Sequence, residues 1–61
     1  MKMTATDFRV VLAQLGIPQT EFAALTGYRP ETVSRWARGH KDIPRSIALV
    51  LKLMQERQAS A

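Results

Sequence analysis

The sequence predicts an all-α fold, a compact domain of four helices. Three observations predict it. Prolines and glycines alternate along the chain as Gly16, Pro18, Gly27, Pro30, Gly39 and Pro44. Proline suits the start of a helix, where its missing N–H costs nothing, and glycine suits the residue just past a helix end. Apolar residues between these marks recur at helical spacing. No alternating apolar run of strand type is present.

The first helix is expected over about residues 5–15. Thr4 followed by Asp7 resembles a capping box with a shortened acid. Phe8, Val11, Leu12 and Leu15 repeat at i, i+3, i+4 and i+7 and share one face. Gly16 ends the segment. The second helix is expected over about 18–26, from Pro18 to the stop at Gly27, with Phe22, Ala23 and Leu25 as its core residues. The third, over about 30–38, opens at Pro30 and stops at Gly39, with Val33, Trp36 and Ala37 inside. Trp36 reads as core, and its indole N–H then needs a partner. The fourth, over about 44–58, follows Pro44 and places Ile47, Val50, Leu51 and Met54 on one stripe. Leu49 and Leu53 fall on a different face. Two leucines exposed on one stripe are unfavourable in so small a monomer, which predicts a symmetric homodimer packed through them.

Length and composition bound the partners. The 61 residues form one domain, 1–61, at a size where a single core is marginal and self-association is a common remedy. There is no cysteine, and one histidine, His40, cannot build a metal site alone; His40 reads as a loop residue, and no metal or cofactor is expected. Nine Lys and Arg against five Asp and Glu give a net charge of +4, which suits a polyanionic partner. No apolar run approaches the ~20 residues of a membrane span, and the first ten residues lack a signal-peptide core. A soluble, cytoplasmic protein without membrane or small-molecule partner is expected. The carboxylates are scattered, with no nucleophile–base set and no glycine-rich phosphate loop, so an enzyme is not expected.

The second and third segments are short, are joined by a tight turn containing Gly27, and leave Arg29, Glu31, Thr32, Ser34, Arg35 and Arg38 outside. These are the requirements of a helix-turn-helix. The stretch QTEFAALTGYRPETVSRWARG, Gln19 to Gly39, resembles the Xre/Cro/phage-repressor family. The resemblance rests on Gln19, Phe22-Ala23, Gly27, Val33, Trp36 and Gly39, together with Pro44 leading into an aliphatic helix, and it covers roughly Phe8 to Met54. Among short members the chain is similar to autoregulators of phage and mobile elements, including anti-CRISPR-associated repressors. It departs from the family pattern at Thr26, where an aliphatic residue usually precedes the turn glycine, and in having no room for a fifth helix.

The resemblance implies a lambda-repressor-like domain that binds double-stranded DNA. Arg29, Pro30, Glu31 and Arg35 match the base-reading positions. Arg can bond guanine bidentately, Glu can accept from a cytosine amino group, and Pro30 can touch a thymine methyl. Gln19 matches the residue that contacts the DNA backbone. Thr32, Ser34, Arg38, Lys41, Arg45 and Ser46 join it on a phosphate-contacting rim, with Tyr28 in the turn placed to pack its ring on the second helix or reach a phosphate. The charge run from Arg29 to Arg45 holds five basic and two acidic residues. The function implied is a transcriptional repressor that reads a palindromic operator as a dimer. The alternatives weighed are an antitoxin-type protein-interaction module on the same fold and a membrane-active amphipathic peptide, the latter disfavoured by three regularly capped helices upstream.

Overall fold

The computed structural model describes residues 2–60, with the backbone alone for Ser60. It contains α1 (Ala5–Leu15), α2 (Gln19–Thr26), α3 (Pro30–Arg38) and α4 (Arg45–Ser60). No strand occurs among the described residues. The punctuation works as the sequence predicts. Gly16, Gly27 and Gly39 each close a helix with positive φ. At Gly27 no neighbour crowds a Cβ position, so it is the backbone angle of +78° alone that calls for glycine.

The helix starts differ by one residue from a simple proline rule. Pro30 occupies the first turn of α3. Pro18 and Pro44 instead sit one position earlier, as caps. The Pro18 carbonyl accepts from the Phe22 N–H at 2.9 Å, and the Pro44 carbonyl from those of Ile47 and Ala48 at 3.0 and 3.1 Å. A proline carbonyl can start a helical ladder although its nitrogen cannot join one. The α1 start is a true capping box: Thr4 Oγ1 accepts from the Asp7 N–H at 3.1 Å, and Asp7 Oδ2 accepts from the Thr4 N–H at 3.3 Å.

One core joins all four helices: Phe8, Val11 and Leu12 from α1, Phe22 and Ala23 from α2, Val33, Trp36 and Ala37 from α3, Ile47 and Leu51 from α4, with Ile43 from the preceding loop. Met3, Leu15, Ile17 and Met54 pack half-buried at its edge. Its centre is aromatic. Phe8 meets Phe22 edge-on at 5.7 Å between ring centroids and Trp36 at 6.0 Å, the offset geometry that ring quadrupoles favour. α3 packs on both α1 and α2, and α4 packs chiefly on α1.

Two apolar residues expected in the core lie outside it. Leu25 is 66% exposed, because the inward side of α2 is only as wide as Phe22, Ala23 and Thr26. Val50 is 40% exposed, since the buried stripe of α4 is the single row Ile47, Leu51, Met54 and Val50 stands beside it. Ile43 shows the reverse. No helix holds it, yet it is buried just ahead of the α4 cap, where a hydrophobic residue steadies the chain as it enters a helix. α2 runs through Thr26, whose hydroxyl donates to the Phe22 carbonyl at 2.8 Å, which hides the polar atom that replaces the usual aliphatic side chain. The Trp36 indole N–H, expected to find an acceptor, has none among the described residues.

Candidate nucleic-acid interface

α3 is the most sharply two-sided element of the protein. Val33, Trp36 and Ala37 are buried, while Arg29, Pro30, Glu31, Arg35 and Arg38 are exposed and Thr32 and Ser34 half-exposed. At nine residues it is about 13 Å long, and its width with side chains matches the ~12 Å of a DNA major groove. The inner side seats it in the aromatic centre of the core. Trp36 is clamped between Phe8 and Tyr28, with the Tyr28 ring edge-on at 4.8 Å. Tyr28 thus packs its ring against Trp36 of α3, and its 38% exposure keeps part of the ring at the surface.

The basic side chains around this helix are uncommitted. Arg29, Arg35, Arg38, Lys41 and Arg45 make no side-chain hydrogen bond or ion pair among the described residues. They are available to an external anion without breaking an internal bond. Of the two acids in the Arg29–Arg45 run, Asp42 is paired with Lys2 at 3.2 Å across exposed surface. Such a pair adds little stability, but it offsets a negative charge beside Lys41. Glu31 stands in the first turn of α3, where its charge also suits the positive end of the helix dipole.

Backbone donors add to this surface. Neither α2 nor α3 has a side-chain cap at its N-terminus. In α3 Pro30 has no N–H and those of Thr32 and Val33 bond the Arg29 carbonyl at 3.0 and 3.2 Å, which leaves the Glu31 N–H to meet an anion; in α2 the N–H groups ahead of Phe22 are left in the same way. Gln19 is exposed at the first position of α2, and Arg45 and Ser46 are exposed in the first turn of α4. Every residue the sequence assigned to base or phosphate contact therefore has solvent access. His40 is an exposed loop residue whose N–H bonds the Arg35 carbonyl at 2.9 Å, closing the C-terminal turn of α3.

Sequence reasoning gave no role to Arg9. Its Nη1 donates to the Ala37 carbonyl oxygen and its Nη2 to Thr6 Oγ1 at 3.4 Å, so α1 holds the last turn of α3 by a polar contact. No pattern of side chains could have announced this, because the acceptor is a backbone carbonyl, which every residue carries. Among the described residues no group of His, Cys, Asp and Glu could hold a metal ion, and no helix is long and apolar enough to cross a membrane.

A helix-turn-helix family model matches residues 9–51, from within α1 through the middle of α4. No significant match was found among curated proteins or among solved structures. The match spans well over half of the chain and includes the two short helices, the glycine turn and the two-sided third helix just described. The chain belongs to the helix-turn-helix family of the Xre/phage-repressor type, a family of DNA-binding regulators.

Proposed function

We propose that the protein is a transcriptional repressor that recognises a specific duplex sequence by laying α3 in the major groove. The observation that carries this reading is the outer side of α3: Arg29, Arg35 and Arg38 are exposed, and their side chains make no hydrogen bond or ion pair among the described residues, on a helix whose other side is packed in the core. Arg29, Pro30, Glu31 and Arg35 read base edges. Gln19, Tyr28, Thr32, Ser34, Arg38, Lys41, Arg45 and Ser46 meet phosphates. A bound protein covers a promoter and blocks transcription, and the likeness to short autoregulators points to its own promoter as one target.

The protein acts as a two-fold dimer through α4. Leu49 and Leu53 are 51% and 60% exposed, with Val50 beside them, an apolar stripe on the side of α4 that faces away from the core. A symmetric pair reads a palindrome with half-site centres about 34 Å apart, one turn of DNA.

Selection of binding sites from a random duplex library, with sedimentation of the free protein, tests these statements together. The expected result is a palindromic consensus bound by two chains, and footprint protection of that sequence upstream of the protein's own gene. Recovery of no consensus would remove the sequence-reading function. A single asymmetric half-site bound by one chain would remove the dimer and leave the reading helix.

A further inference from the structure

Adjacent residues of α1 hold α3 by two unlike contacts. Phe8 packs edge-on against Trp36. Arg9 binds the Ala37 carbonyl, one of the last four of α3 that no N–H within the helix can reach. Apolar packing is not directional and lets a helix roll or slide by small amounts. A guanidinium bonded to a carbonyl depends on angle as well as distance, and its charge also favours the negative end of the helix dipole. The Arg9 contact lies between Arg35 and Arg38 in sequence, in the same final turn.

We propose that Arg9 is a positioning residue for DNA recognition: bonded to the last turn of α3, its guanidinium sets the roll and tilt at which that helix presents Arg35 and Arg38, without touching DNA itself. The proposal rests on the DNA-reading function above. A base contact is lost by a small misorientation, whereas attraction between exposed cations and phosphates tolerates it. Arg9 therefore matters for the right sequence and hardly at all for DNA in general.

The test compares the wild-type chain with Arg9→Ala and Arg9→Lys on the selected duplex and on a scrambled duplex of equal length, across a range of salt concentrations. Circular dichroism melts establish that each variant is folded at the assay temperature. Where Arg9→Ala is not, Arg9→Met, which keeps an apolar stem of similar length but has no donor, takes its place. Arg9→Ala is expected to lose roughly tenfold in affinity for the selected duplex. Its affinity for the scrambled duplex and its salt slope stay at wild-type values, and Arg9→Lys recovers most of the loss. An equal loss on both duplexes with a slope shallower by about one makes Arg9 a phosphate contact and overturns the proposal. So does a folded Arg9→Ala that binds the selected duplex like wild type. A wild-type chain with no preference for any duplex overturns the DNA-reading function itself, a result distinct from the other two.

Discussion

The first turn of α1 and the first turn of α3 meet the same problem in opposite ways. Each leaves backbone N–H groups without a carbonyl partner. At α1 the protein closes them with its own side chains, Thr4 and Asp7 bonding each other's backbone. At α3 the capping position is Arg29, whose side chain has no acceptor to offer, and the Glu31 N–H stays open; α2 likewise has no side-chain cap. The difference teaches where local stability has been given up. The closed end is the start of a helix whose task is to build the core. The open ends border the surface proposed to meet phosphates, where a partner can complete what the fold leaves undone.

Four substitutions break or sharpen this contrast. The largest effect is expected at the outer side of α3. Arg35→Ala should weaken operator binding by about 1–3 kcal/mol and relax preference at one base pair per half-site, with the melting curve unchanged. Equal loss on every duplex would reassign Arg35 to the phosphate rim. At the closed end, Thr4→Ala should lower folding stability by about 1 kcal/mol, read by urea denaturation, and leave DNA affinity for the folded chain alone. A cap moved to the open end should do the reverse. Arg29→Ser should stabilise the fold by roughly 0.5–1 kcal/mol while weakening DNA binding, because the serine hydroxyl would accept from the first turn, where the Glu31 N–H is open, and the substitution removes a cation. A variant that gains both stability and affinity would show that the open end serves no ligand. The smallest effect concerns Lys41→Ala, which should weaken binding to all duplexes alike and flatten the salt slope by about one unit per half-site. An unchanged slope places Lys41 outside the interface.

How much of this was legible depended on whether a feature is local. Helix ends at Gly16, Gly27 and Gly39 could be read because a left-handed residue past a helix end is a demand on one residue type. The capping box could be read because both partners lie within one turn. The two sides of α3 were legible because Val33, Trp36 and Ala37 share a helical face with no competing apolar residue. Leu25 and Val50 misled because hydrophobicity says that a residue can be buried, while the width of the buried stripe depends on how many neighbours a helix has. Ile43 and Arg9 stayed hidden for the related reason that their partners come from distant parts of the chain. The surroundings of the Trp36 indole were equally invisible, since ring packing is decided by three elements together.

The attachment of α4 has a consequence for how the protein opens. α4 meets the rest of the chain chiefly along α1, its last apolar packing is that of Met54, and the Gln55–Gln14 bond at 3.1 Å ties it there on the exposed side. α3, by contrast, is gripped by two helices at once. Backbone deuterium should therefore enter α4 beyond Met54 through fraying long before it enters the helix-bonded amides of α3, which exchange only when the aromatic centre comes apart. A molecule with this hierarchy can remodel its C-terminal arm while the three helices ahead of it persist as a cooperative unit.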